Sequence, residues 1–579
     1  MDPDVHENGR MIVHTGHSSI FVSWKLVYFM LASLCGAAAI ASCTGRVGEG
    51  FQHVGNVYLT DFSREAPSII VDARQSIDAI LSAVKRDQVL PGLDILDPYD
   101  GTIFPPDMAQ PRFRWMPKPD WSFLYLVESR SLRSGLVVYV LTDKSEWEPS
   151  EKVWTLIKDR SMNTAECFTV YALGELSHDR IVAKGSVTFT TSTDPLGSPV
   201  MYIQLPLPFS RAKQSPGVFA LKLGDVASRG KPRTVLSGMN ACMNCHALSS
   251  DGRLFGIDID YRGDKGGYIV KEVASTMVIG EEDIISWNDV RRSDGIDSAG
   301  FFSRISPDGK FIVSTVKEKP FFTMIPDIEF SQFFFPVTGL IAFYDVEKKQ
   351  FSLLPGASDP DYVQTCPEWS PDGNWIVFAR TKRNPALESL LGDKRYITIE
   401  PHERIRDLNK KYRIHFELCR IPFNGGKGGS PLPLAGASGN GMSNYFPRWS
   451  PDGRWIVFTQ SPTGLAIQPE SKLVIIPAEG GNPRTMQCNT DIMNSWHSWS
   501  PNGRWLVFSS KANSPYTELF LTHVDEDGND SPPVILSRFS SSRLACVAPE
   551  IVNIPEGAMD SVTFSGSREQ PKYIDPNTR

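Results

Sequence analysis

The chain has 579 residues, 41% of them hydrophobic and 22% charged, with a formal net charge of −7. That length exceeds a usual single domain and predicts two or more domains with sizeable cores. The acidic balance excludes the clustered basic footprint of a nucleic-acid binder. The 45 glycines and 43 prolines, gathered in short turn clusters, point to many short strands rather than long helices.

The N-terminal region reads as a targeting segment. After Lys25 an apolar run, LVYFMLASLCGAAAIAS at 26–42, is short for a membrane span and ends in small residues. Ile40-Ala41-Ser42-Cys43 resembles a bacterial lipobox. The resemblance implies cleavage after residue 42 and a lipid on Cys43, hence a membrane-anchored protein of the bacterial cell envelope. Thr44-Gly45 supplies no aspartate after Cys43, which in lipoproteins implies the outer membrane, facing the periplasm or the surface. A plain secretory signal is the alternative. Residues 43–90 hold a polar tether over 44–70 and a short helix from Asp72 to Asp87, with Ile77, Ile80, Leu81 and Val84 on one face.

From 91 to 197 the pattern is of strands: Ile103–Pro105, Pro111–Trp115, Phe123–Val127, Leu136–Leu141, Val153–Leu156, Cys167–Tyr171 and Ser186–Thr190. About seven short strands in about 100 residues suit a small β-sandwich of immunoglobulin or fibronectin type III kind. It carries no chemical motif and reads as a spacer.

Over 198–556 one unit recurs. Its five copies are Leu248-Ser-Ser-Asp-Gly252, Ile305-Ser-Pro-Asp-Gly309, Trp369-Ser-Pro-Asp-Gly373, Trp449-Ser-Pro-Asp-Gly453 and Trp499-Ser-Pro-Asn-Gly503, and apolar runs such as Trp375–Phe378 and Trp455–Phe458 follow the turn. Proline sets φ, aspartate closes a side-chain turn and glycine accepts positive φ, so each copy is a hairpin turn. Such a repeat indicates a β-propeller. Pro367–Gly373 and Pro447–Gly453 in particular resemble the TolB-like, WD-like propeller family, whose members serve as binding platforms, enzyme lids and scaffolds. Strands at 201–204 and 218–223 lack a preceding turn, and Ala548–Val552 begins an inner strand with no blade after it. The two ends together predict a sixth blade. The expectation is therefore an all-β chain, a six-bladed propeller preceded by the sandwich, with insertions near 317–337 and 381–416, the second helical, and a tail over 557–579.

Within the first repeat, residues 242–246 spell C-x-x-C-H. That is the pattern by which haem c is attached through two thioethers, here at Cys242 and Cys245, with His246 as iron ligand. A structural disulfide, a metal site or a redox thiol pair are the alternatives; a redox pair would want a helix N-terminus, and zinc would want a second ligand pair. Counting back from the turns, His246 matches His497, Cys242 matches Met493, and Met442 falls one residue earlier in its own repeat. Met442, Met493 and His497 are thus the candidates for the sixth iron position at one channel rim, with Met442 opposite the haem blade. If Cys35 leaves with the signal, Cys167, Cys366, Cys419, Cys488 and Cys546 remain, an odd set that is no disulfide framework and at most contains one pair. Asp525–Asp530 carries calcium-ligand residue types but reads as a polar hairpin turn, with calcium as the alternative. No G-x-S-x-G elbow and no phosphate or dinucleotide loop is present.

These signals predict an exported, lipid-anchored cytochrome with one covalent haem c, passing electrons to a redox or envelope protein docked at the rim. The rivals are a non-enzymatic envelope binding platform of TolB type, with a structural haem or disulfide, and an oxidoreductase with a vacant sixth iron position.

Overall fold

A computed structural model describes residues 56–61, 73–86, 92–116, 124–174, 181–214, 216–239, 243–392 and 403–565, and the backbone of a strand pair, Arg10–Thr15 with Ser18–Ser23. The apolar run at 26–42, Cys43 and Cys242 lie outside the described residues. The chain divides into two compact units, Met1–Pro195 and Leu196–Arg579. No helix among the described residues is long and apolar enough to cross a membrane.

The first unit is built on a six-stranded sheet and a three-stranded sheet. Phe113 of the smaller sheet stacks on Phe168 of the larger at 4.6 Å. The helix Ala73–Arg86 packs Ile77 and Ile80 against Leu126, Tyr139 and Leu141. Two expectations change here. Val153–Leu156 is not a strand but part of the helix Glu151–Ser161, capped by Ser150, whose side chain accepts from the Val153 N–H. Its apolar run is too short to show a period, and the cap together with burial of Trp154 against Phe104 at 5.3 Å decides the matter. The tether also contributes a strand, Val57–Asp61, which pairs in parallel with Val137–Thr142 and covers that sheet edge.

The second unit is a propeller of six antiparallel blades, the third and fourth joined by a parallel bridge between Gly339 and Val363, whose inner strands follow one another in a closed ring. The first blade is made from both ends of the unit: its inner strand Ala545–Ile551 pairs with Val200–Leu205, so no edge is left open. The inner strands of blades two to six are Met243–Leu248, Phe301–Ile305, Tyr362–Trp369, Ser443–Trp449 and Asn494–Trp499. Each ends in the repeated turn. In the fourth blade the Ser370 hydroxyl donates to Asp372 Oδ1 at 2.5 Å and accepts from the Trp375 N–H at 2.9 Å, while Gly373 has φ +69°. This is the local reason that Ser, Asp and Gly recur together.

The insertions extend the connections between second and third strands. In the third blade Phe311–Met324 and Gln332–Asp345 form one long hairpin. In the fourth, the helices Pro385–Leu391 and Ile405–Lys411 pack with it around Phe321, Phe333 and Phe335. A second strand runs back from the turn, so both insertions stand at the rim where the inner strands begin. The region read as a tail supplies a strand as well: Ser561–Phe564 lies parallel to Thr276–Ile279.

Candidate functional site

The inner strands do not run as plain ladders. Three residues before each strand's last residue stand Ala548, Cys245, Phe302, Cys366, Phe446 and Trp496, one per blade. In five blades a bulge falls there: two residues on the inner strand oppose one on its neighbour, as Cys366 and Pro367 do between the pairs Thr365↔Ala379 and Glu368↔Val377. The first bulge residue is left-handed in each, with φ +64° at Phe302, +53° at Cys366, +51° at Phe446, +46° at Trp496 and +49° at Ala548. Bulging turns these side chains into the channel, and all six equivalents line one cavity of about 420 Å³, open mouth included.

One layer further along the strands the channel is closed by charge. Arg304, Glu368, Arg448 and Glu550 come from the third, fourth, fifth and first blades and form a closed ring of ion pairs. Arg304 Nε lies 3.3 Å from Glu368 and Arg448 Nη2 lies 3.1 Å from Glu550, and the other two pairs complete the circuit. The second and sixth blades place the small residues Ala247 and Ser498 in this layer. Two positive and two negative charges, all nearly buried, satisfy one another, which is the condition for keeping ions out of water. The ring is the cavity floor. Sequence reading missed it, although aligning the repeats on the residue before the strand end sets the four charges in one column.

The second blade departs from the others. Its bulge lies one residue earlier, between Met243↔Ile259 and His246↔Ile257, so His246 belongs to the ladder. Cys245 lines the cavity and His246 does not. His246 is 1% exposed, and neither ring nitrogen makes a well-formed hydrogen bond. Burial holds its pKa below the ordinary imidazole value, against the pull of Glu550. His497, at the matching count in the sixth blade, sits within the bulge and lines the cavity. Its Nε2 lies 2.9 Å from the Val457 carbonyl, its Nδ1 has no partner, and burial pushes its pKa down to about 4. Of the other sixth-position candidates, Met442 is half-buried and does not line the cavity, whereas Met493 is fully buried in the apolar core.

The thiols narrow the alternatives. Cys245 and Cys366 both line the cavity as free cysteines, and burial pushes each up to about 12. A redox or metal thiolate needs the opposite shift. Among the described residues no group of three or more His, Cys, Asp or Glu is placed to hold a bare metal ion. Cys366, Cys419, Cys488 and Cys546 are free, so the remaining set contains no pair. Cys167 is disulfide-bonded, and its partner lies outside the described residues. The loop at Asp525 is tied by its own groups: Asp525 Oδ1 accepts from the N–H groups of Asp527 and Asn529 at 2.9 and 2.8 Å.

The donor chemistry suits a haem c. Haem brings its own four nitrogen donors and needs from the protein thiols and one imidazole. Cys245 is a free thiol on the cavity, and His246 is a buried imidazole beside the Met201 backbone with no well-formed hydrogen bond at either nitrogen.

No protein-family model matches the chain, and no curated protein matches it. Among solved structures it is similar to an oligogalacturonate lyase in complex with manganese, at 14% identity and TM-score 0.30 over 50% of this chain and 63% of that one. It is similar also to prolyl oligopeptidase B from Galerina marginata, at 11% identity and TM-score 0.30 over 51% and 37%. A third is the β-propeller domain of Swd1 from Myceliophteria thermophila, at 10% identity and TM-score 0.28 over 54% and 80%.

Proposed function

We propose that the chain is an exported, lipid-anchored c-type cytochrome on a TolB-like propeller, exchanging electrons with a protein partner at the rim that bears Cys245. The observation that carries this reading is the C-x-x-C-H motif at 242–246, whose His246 lies buried on the inner strand of the second blade with no well-formed hydrogen bond at either ring nitrogen. Cys242 and Cys245 would hold the haem and His246 would ligate its iron; when bound, the haem supplies one-electron exchange. The protein's own part is to close the channel beneath with the Arg304–Glu368–Arg448–Glu550 ring, so that approach is from one rim only. For the sixth position we carry His497, on the cavity, and Met442, at the same rim, and set aside Met493, which the core encloses. Lipidation at Cys43 would fix the protein to the envelope membrane.

The second reading is the envelope binding platform without haem. It draws on two observations: Cys245 and His246 are not presented to the same space, and Cys167 bonds a cysteine outside the described residues. One preparation separates the readings. The protein, exported from a host with haem-maturation machinery, is reduced for a difference spectrum and digested for peptide masses. A c-type α-band and a haem adduct on the 242–246 peptide are expected, with His246→Ala removing the low-spin signal. An unmodified peptide, or one in which Cys242 is joined to Cys167, sinks the cytochrome reading and leaves the platform. A high-spin ferric spectrum removes both sixth-position candidates and points to the oxidoreductase alternative.

A further inference from the structure

The long hairpin of the third blade does not stay over its own blade. Its outer part, 320–324 paired with 332–336 and closed by the tip 325–331, touches three other blades at the rim where the inner strands begin. Phe322 meets Phe209 of the first blade at 6.3 Å, Phe321 meets Tyr412 of the fourth at 4.6 Å, and the Phe330 ring lies 5.7 Å from the Lys511 ammonium of the sixth. Each partner stands in the connection from the second to the third strand of its blade. In a ring of six, the first blade faces the fourth and the third faces the sixth. An arm that starts on the third, lands on the sixth and has the first and fourth on its two sides crosses the channel mouth. The apolar contacts agree. Ile325 and Phe330 of the tip are buried in one cluster with Leu465 of the fifth blade and Met493 of the sixth, and the cavity-lining rings of Phe302, Phe446 and Trp496 pack against that cluster.

At its base the arm meets its blade through a joint. The ladder shifts register twice, between Val316 and Lys319 and between Lys319 and Pro320, and Lys317 takes φ +54°. Pro320 and Pro336 then face each other, and neither has an N–H to give the ladder. The blade side of the joint is pinned: Lys317 Nζ lies 2.9 Å from Asp294 Oδ1 and 2.7 Å from the Ile296 carbonyl. At its far end the arm is only seated. The Ile325 N–H donates to the Ser331 carbonyl within the tip at 2.9 Å, but among the described residues no hydrogen bond or ion pair ties 325–331 to the sixth blade. The seat is held by burial of Phe330, by its contact with the Lys511 cation, and by the longer-range pull of Asp327 and Glu329 on that cation. A jointed base and a seat without directional bonds are what an element that lifts requires.

We propose that 325–331 is a strap across the channel mouth, and that its seating on the sixth blade through Phe330 controls entry to the cavity lined by Cys245 and Cys366. The charge ring beneath closes the other end, so the strap governs the remaining way in.

The test is labelling of the full chain with N-ethylmaleimide and, in parallel, with a bulkier maleimide, each cysteine being read by peptide mass. Cys366 lines the cavity and is the reporter; Cys419, Cys488 and Cys546 are buried elsewhere and report loosening of the whole unit. Cys366 should label slowly in the unaltered chain, and more slowly with the bulkier reagent. Phe330→Ala removes the ring that seats the tip and should speed Cys366 roughly tenfold or more, with the other three unchanged. Asp327→Asn with Glu329→Gln, which ends the pull on Lys511 without touching a core side chain, should speed it about twofold to fivefold. Fast labelling of Cys366 in the unaltered chain, or a rate that Phe330→Ala leaves unchanged, overturns the proposal. If all four cysteines speed up together in that variant, the charge-removed tip decides: Cys366 alone faster sustains the strap, and Cys366 unchanged overturns it. The reporter lies outside the C-x-x-C-H motif, so the strap and the haem reading stand or fall separately.

Discussion

The second and sixth blades carry a histidine at the same count from the strand end and treat it differently. In the sixth, Trp496 and His497 form the bulge, and His497 spends Nε2 on the Val457 carbonyl of the neighbouring blade. In the second, the bulge has slipped back to Asn244 and Cys245, His246 stays in the ladder, and its ring faces the Met201 backbone of the first blade without a well-formed hydrogen bond. The sixth blade shows what the position does when it is structural: it closes an interblade contact. The second shows the same interblade contact loosened, in the blade that also carries Cys245. A one-residue shift of a bulge re-aims every side chain near it.

The largest effect should come from the layer shared by most of the ring. Arg304→Ala leaves Glu368 and Glu550 buried without that guanidinium and should cost about 3–5 kcal/mol in denaturant unfolding. An unchanged midpoint would mean that the circuit does not hold the inner strands together, and that the two blades differ for some other reason.

The histidines test the contrast directly. His497→Leu orphans the Val457 carbonyl and should cost about 1–3 kcal/mol, whereas His246→Leu in haem-free protein loses only a poorly formed contact with the Met201 backbone and should cost less than about 1 kcal/mol. Equal losses would erase the distinction. The sign with pH follows from His497. Its folded pKa of about 4 lies below the ordinary 6.5, so the unfolded chain binds the proton first and stability falls as pH drops between those values. His497→Leu should flatten that acid limb.

A further pH dependence of opposite sign has to be subtracted from the acid limb. Glu318 is buried, takes the Ala299 N–H at 2.9 Å on one oxygen and has no partner on the other; burial raises its pKa to about 8. Here the folded state holds the proton longer, so stability is full below the ordinary carboxyl range and falls as pH rises toward 8. Glu318→Gln should reduce the slope of melting stability over that window by up to about 1.4 kcal/mol per pH unit. A slope unchanged by the substitution would assign the alkaline decline elsewhere.

Much of the fold was legible because its signals are local. Ser, Asp and Gly of the repeated turn bond within five residues of one another, so the turns and the strands flanking them could be counted from the chain. The incomplete ends, read as complementary strands, do pair: Val200 with Ile551 and Leu205 with Ala545. The helix Glu151–Ser161 was not legible, since a short run of Val, Trp, Leu and Ile suits either period until Trp154 finds Phe104 and Phe113. The strand Val57–Asp61 was hidden for a similar reason: a short edge strand is chosen by the neighbour it covers.

By itself the sequence determined the number of blades, how the ring closes, and that Cys245 and His246 lie on an inner strand. Those follow from turn chemistry and apolar alternation, which act over a few residues. Only the tertiary structure decided that Cys245 faces the cavity while His246 does not, that four charges spaced 64, 80 and 102 residues apart meet as one ring, and that phenylalanines from the first and third blades meet beside the second. The physical reason is that side-chain direction on a bulged strand, and the pairing of charges across a channel, depend on neighbours that the chain brings together only when the ring is closed.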